Sequence, residues 1–249
     1  MKTTSYERIV VGASAVFYGA MALRWYDAQT WQTLAEIWKL PIGRIVGGCL
    51  MAAQIAGGIG IQFTRTTRLA SIVLVIVYLS FSLACVPGIL SAPGAYAEYP
   101  NFFEQFSLLC AAIALCAETE LKAERATVFG RLAHLGFGVC TISFMLTQIV
   151  YFPQTEVLVP RWIPPNENFW AILTTIAFGL AALAILVNVR ARLALRLMAL
   201  MVVLFGVLVW IPRLIAHPEV HMNWSEFALN FLIAGAAAVV AESKLQSIR

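Results

Sequence analysis

The stretch "NWSEFALNFLIAGAAAVVAES", residues 223–243, opens on an Asn, an aromatic residue and a Glu. It then runs apolar and Gly/Ala-rich to a second Glu. An earlier stretch, "NFFEQFSLLCAAIALCAET" at 101–119, has the same order of features. Each has about the 20 mostly apolar residues that a membrane-spanning helix needs. Working outward from these two segments, the same kind of run recurs along the whole chain. Of the 249 residues 61% are hydrophobic and only 12% charged, and mean hydropathy is +0.81. An ordinary soluble domain is about 45–50% apolar and about 25% charged. The expected class is an all-α, polytopic membrane protein.

Uncharged runs between charged landmarks predict eight spans, at about 7–25, 43–63, 68–88, 102–118, 129–151, 167–188, 192–212 and 224–242. The shorter runs still span, because terminal Arg and Glu side chains reach the headgroups. The net charge of +4 is not a nucleic-acid signal, since the basic residues lie singly between apolar runs rather than on one solvated face. With the N-terminus placed in the cytoplasm, the inner segments hold twelve Lys and Arg: Lys2, Arg8, Arg65, Arg68, Lys122, Arg125, Arg131, Arg190, Arg192, Arg196, Lys244 and Arg249. The outer segments hold five: Arg24, Lys39, Arg44, Arg161 and Arg213. The positive-inside rule then puts both termini in the cytoplasm. No cleavable signal peptide is expected, because the first apolar run ends at "RWYD".

The two opening stretches belong to an ordered series of matches. Arg8 pairs with Arg131, "WKLP" (38–41) with "WIPP" (162–165), Arg65 with Arg190, "RLA" at 68 with "RLA" at 192, and Pro87 with Pro212. Asn101 and Glu104 pair with Asn223 and Glu226, and Glu118 with Glu242, all at offsets of 122–125 residues. This predicts a tandem duplication of a four-helix unit, with residues 1–120 and 129–249 as the copies. The linker "ETELKAERATVFGR" (118–131) is the expected boundary. An even number of spans per unit makes the repeats parallel, related by an axis along the membrane normal.

The first span "VVGASAVFYGA", the Pro before the second span in "KLPIGRIVGG" and "WIPPNENFW", the "RLA" turns and the two last spans resemble the DoxX/DoxD family of small four-helix membrane proteins. The resemblance covers nearly the whole chain, once per half. It implies a four-helix bundle in each half and a bacterial cytoplasmic (inner) membrane. Some members of the family are the membrane subunit of a quinone-linked oxidoreductase of sulfur compounds. A quinone ligand and a periplasmic or membrane redox partner are thus what the resemblance implies, with no cofactor held by the chain itself.

Several residues are candidates for chemistry. Asn101 with Glu104, and Asn223 with Glu226, have capping-box spacing, and the acid suits the positive end of a helix. The alternative is that the two carboxylates face each other near the pseudo-axis and bind a proton or cation, since an intramembrane carboxylate is a functional candidate. "RLIAHPEVHMNW" holds His217 and His221 at metal-ligand spacing, but Pro218 follows His217 directly and no third ligand is evident, so no metal site is expected. Gly48, Ala52, Ala56 and Gly60 form a small-residue stripe that predicts close helix packing within or between units, and Ala56→Leu is expected to destabilise. Gly235, Ala237, Ala238 and Ala241 offer a similar surface. Gln54, Gln62, Gln105, Gln148 and Asn230 are apolar-run amides, read either as interhelical hydrogen-bonding groups or as the polar lining of a quinone site. Trp25, Tyr26, Trp31, Trp38, Tyr151, Trp162, Trp170 and Trp224 suit an interfacial belt. The ligand-binding candidates are Glu104, Gln105, Trp162, Arg213, His217, His221 and Glu226.

The cysteines, Cys49, Cys85, Cys110, Cys116 and Cys140, form no CxxC and are expected to be packing residues. A phosphate-binding Gly loop, HExxH and a Ser-hydrolase motif are missing. Three functions fit: a membrane subunit or accessory of a quinone-linked redox system, a lipid or small-molecule binding or transport protein, and a structural subunit of a larger membrane complex.

Overall fold

The computed structural model describes residues 5–27 and 32–243. Lys2, Trp31, Lys244 and Arg249, used above, lie outside the described residues. In chain order the helices are α1 (Tyr6–Trp25), α2 (Gln32–Trp38), α3 (Gly43–Gly60), α4 (Thr67–Ser91), α5 (Tyr99–Thr119), α6 (Ala123–Val150), α7 (Phe152–Leu158), α8 (Glu167–Leu186), α9 (Ala191–Phe205), α10 (Ile211–Ala216) and α11 (His221–Ala241). A 3₁₀ turn, Tyr96–Glu98, leads into α5, and a π-helical turn, Gly206–Trp210, joins α9 to α10. Among the described residues there is no strand.

Six helical segments are long and apolar enough to cross a membrane: Thr67–Ser91, Tyr96–Thr119, Ala123–Val150, Glu167–Leu186, Ala191–Ala216 and His221–Ala241. The other two expected spans fall on α1, which carries Glu7, Arg8 and Arg24, and on the glycine-rich α3. The outward side of α4 carries Leu69, Ile72, Ile76, Leu79 and Leu83, all exposed and spaced three or four residues apart. The inward sides bury small and polar groups, Ser71, Ser82, Gln54, Ala111, Ala114, Ala236 and Ala237, among large ones such as Leu74, Tyr78 and Phe81. Large apolar groups outside and small ones inside are what a lipid bilayer selects, because lipid tails compete with side chains for apolar contact while small residues let helices approach.

The helices form a ring in which α1 packs on α3, α3 on α4, α4 on α5, α5 on α6, α6 on α8, α8 on α9, α9 on α11, and α11 back on α1. The alanine-rich α5 and α11 also touch across the middle. Glycines set the closest crossings. A Cβ on Gly58 of α3 would lie 2.8 Å from the Gly12 carbonyl oxygen of α1, and one on Gly235 of α11 would lie 2.9 Å from the Val11 nitrogen of α1. At one end of the ring Arg8 donates to Glu118 across α1 and α5 at 2.5 Å. There too Arg192 and Arg196 of α9 both donate to Glu242, just past α11. At the other end the ring of His221 stacks on Trp25 at 4.2 Å, and its Nδ1 lies 2.6 Å from Asp27 Oδ2.

The expected boundary linker 118–131 is mostly helix. Only Glu120–Lys122 separate α5 from α6. The Glu120 carboxylate accepts from the Leu121 and Lys122 backbone N–H groups and closes the turn.

Candidate functional site

A cavity of about 530 Å³ lies between α8, α9 with its π turn, and α11, closed on its remaining side by residues of α6, α7 and the loop after α7. Its origin is visible in the sequence of α9–α10. Pro212 has no N–H to donate back along the helix, and the backbone just before it widens into the π turn Gly206–Trp210. Such turns add a residue to the helix face and are frequent at functional sites. Here the turn directs Leu208, Val209 and Trp210 into the cavity wall. On the far side Gly206 sits against α11, with space for no more than hydrogen before the Phe231 ring at 2.7 Å. Most of the remaining wall is Leu, Met and Phe. Leu173 of α8 and Leu197, Leu200 and Leu204 of α9 line the cavity and are also exposed on the outside, so it opens sideways between α8 and α9.

The polar groups of the wall are few. Gln148 Oε1 accepts from Thr175 at 2.9 Å and from Thr174 at 3.3 Å. Asn230 donates to the Glu226 backbone carbonyl at 2.8 Å, one turn back along α11. The Glu226 carboxylate completes this set. Trp170 lines the cavity with its indole N–H bonded to the Pro164 carbonyl at 2.9 Å, and Trp210 lines it with the Arg213 guanidinium 5.4 Å from its ring centre. An apolar, drug-sized cavity with a few convergent polar groups is the usual form of a small-molecule site.

Glu226 does not stand alone. Glu104 of α5, Glu226 of α11 and Tyr18 of α1 lie within reach of one another's charge, on helices that pack together. Tyr78 of α4 interacts with Tyr18 in the same way. It is buried, and its hydroxyl has no hydrogen-bond partner among the described residues. Among the described residues neither glutamate forms an ion pair with a Lys, Arg or His.

The capping-box reading of both glutamates is therefore corrected. Helix α5 starts at Tyr99, with Glu98 before it and Pro100 in its first turn, and α11 starts at His221 after Val220. Asn101 and Asn223 are inside helices, and no side chain caps either N-terminus. The physical reason is that Pro is at home in a first helical turn, so α5 begins two residues before its Asn. Asn223 instead donates to the Arg213 and His217 carbonyls, tying α10 to α11. The helix start that does use an Asn cap is Asn166, whose side chain accepts from the Phe169 N–H at 2.8 Å.

The other candidates separate. His217 ends α10 and pairs with Glu219, while His221 begins α11 and pairs with Asp27, so Pro218 splits the two imidazoles between different helices. No group of three metal-ligating side chains occurs among the described residues. Gln105 is buried in α5 with its Oε1 unpartnered, away from the cavity wall. Trp162 is exposed beside the cavity mouth, and Arg213 touches the cavity only through Trp210. Of the stripe Gly48, Ala52, Ala56 and Gly60, only Gly60 meets a neighbour closely, since a Cβ there would lie 2.7 Å from Ala70 Cβ, whereas Ala52 and Ala56 are exposed. The close face of α3 is rotated from it and carries Gly47, Met51, Gln54 and Gly58. The second small surface, on α11, is buried at Gly235, Ala237 and Ala241. The five cysteines are free.

Sequence reasoning missed Tyr18, Tyr78, Asp27 and Trp210. Pro212, which marks the π turn, was the available signal for Trp210. The chain matches no protein-family model, no curated protein and no solved structure.

Proposed function

We propose that this chain binds an apolar or amphiphilic small molecule taken sideways from the bilayer, holding it in the cavity between α8, α9 and α11. The observation that carries the reading is the cavity itself: about 530 Å³, apolar along its length, open between two outward-facing helices, with Glu226 and Asn230 in its wall. A purely structural subunit has no need of such a space.

The architecture behind this reading is two four-helix units, with α1 and α3 completing a set of eight spans. The order of helix packing supports it, because the first helix of each half, α1 or α6, lies against the last helix of the other, α11 or α5. The clustering of Arg8, Arg192 and Arg196 with Glu118 and Glu242 at one end supports an assignment of that end, and both termini, to the cytoplasm. The resemblance to the DoxX/DoxD family keeps a quinone among the ligands. With it comes the role of membrane subunit or accessory to a redox partner in a bacterial inner membrane.

The experiment is extraction and identification of small molecules that co-purify with the full-length protein, compared with an Ala177→Phe variant. Ala177 lines the cavity, so the added ring should exclude the ligand. A stoichiometric amphiphile in the wild type that disappears in the variant is expected. Identical extracts would overturn the reading. Reporter fusions at the C-terminus test orientation, and an externally accessible C-terminus would reverse it.

A further inference from the structure

The cavity has a charge preference built into it. Its lining residues include one ionisable side chain, Glu226, and no Lys, Arg or His. Glu104 adds a second carboxyl within electrostatic reach. Of the cations near the wall, Arg213 engages the Trp210 ring and Arg161 pairs with Glu167, and neither forms an ion pair with either carboxyl. An apolar wall cannot solvate a carboxylate, so a carboxyl removed from water either takes up a proton or pairs with a charge of opposite sign. The protein supplies no such partner among its described residues, and Glu226 lines a space that a molecule can enter. The aromatic rings of Trp170, Trp210 and Phe205 share that wall, and such faces attract cations.

We infer that the cavity selects lipophilic cations: an apolar body lies against Leu173, Leu200 and Leu204, and a protonated amine or quaternary ammonium head sits at Glu226, with Glu104 reinforcing the attraction. This rests on the cavity being a ligand site. It goes beyond that reading in naming the ligand's charge.

The test titrates the full-length protein, in neutral detergent, with three probes that share one tail: N,N-dimethyldodecylamine, dodecan-1-ol and dodecanoate. Native mass spectrometry reads one-to-one adducts. The amine should bind at least about tenfold more tightly than the alcohol, and dodecanoate most weakly. In Glu226→Gln, which keeps the side chain's shape, the amine should lose that advantage while the alcohol still binds. Glu104→Gln should produce a smaller loss, because Glu104 does not line the cavity. Ala177→Phe should abolish binding of all three. Circular dichroism and a monodisperse elution profile establish that each variant is folded. Equal binding of amine and alcohol overturns the inference while leaving the cavity reading intact, and points to a neutral ligand such as a quinone; an amine preference that survives Glu226→Gln overturns it too, because the head is then held elsewhere. Failure of every probe to bind, or binding unaffected by Ala177→Phe, removes the cavity reading together with the inference.

Discussion

Introducing the same leucine at two positions of α3, two residues apart, should give opposite results. Gly58 lies against α1. A Cβ there would be 2.8 Å from the Gly12 carbonyl oxygen and 3.1 Å from both Ala15 Cβ and Val16 Cγ2. Ordinary contact begins roughly half an ångström further out, and the oxygen belongs to a helix backbone that cannot yield locally. The leucine also brings three carbons beyond Cβ into a crossing built for hydrogen. Overpacking of this kind costs about 3 kcal/mol, the upper end of the usual range. Replacing a helical glycine returns about 1 kcal/mol of helix propensity, leaving a net loss of about 2 kcal/mol. For a chain of this length that lowers the thermal midpoint by roughly 4–8 °C. Ala56 is exposed on the outward side of the same helix, so Ala56→Leu should leave the midpoint within about 2 °C of wild type. The assay is thermal aggregation in detergent followed by size-exclusion chromatography, with both variants in one series. A larger loss for Ala56→Leu than for Gly58→Leu would refute the helix rotation described here and restore the Gly48–Gly60 stripe as the packing face.

Three further outcomes follow from the ends of the ring. Glu118→Gln removes the partner of a partly buried Arg8 and should cost about 1–3 kcal/mol. It should lower the midpoint by several degrees, and the exchange Arg8→Glu with Glu118→Arg should recover part of the loss. At Glu242, burial alone would raise the carboxyl, but hydrogen bonds from Arg192 and Arg196, with their charges, outweigh it and hold the group below the usual carboxylate value. A depressed folded value means that the stabilisation is complete at neutral pH and is lost as pH falls through the carboxylate range. The gap between wild type and Arg192→Gln/Arg196→Gln, about 0.5–1 kcal/mol at pH 7 because both arginines are half exposed, should therefore close below about pH 4, and a gap independent of pH would contradict this. Asp27→Asn weakens the contact to His221 and should speed hydrogen exchange in the first turns of α11, with α5 unchanged as the internal control.

The six apolar helices were legible because a chain of this composition has few charges, and many of them lie near helix ends. Helix α8, expected at 167–188, is observed at Glu167–Leu186. The first six residues of α6 were not legible, because Ala123–Val128 is polar enough to read as a linker while still being a good helix former. The rotation of α3 was hidden for a different reason: small residues occur on two of its faces, and only contact with Gly12 shows which one is inside. The glutamates were found by repetition, but their role as a cap or a site depended on where the helices begin. The proline at position 100 set the start of α5, and α11 starts at His221, so neither Asn is an N-cap. Pro212 was the only sequence signal for the cavity, which also depends on how α6, α7, α8, α9 and α11 surround it.

The seam between α1 and α11 has a consequence in time. Asp27 and His221 meet although they are 194 residues apart in the chain. At about 5–20 residues per second, a ribosome needs about 10–40 s to make what lies between them. Throughout that interval α1 is without the helix that covers Val11 and the rings of Phe17 and Trp25. A nascent chain of this kind needs something to shield its earliest helix, and the insertion machinery or another membrane chaperone is where such shielding would be sought.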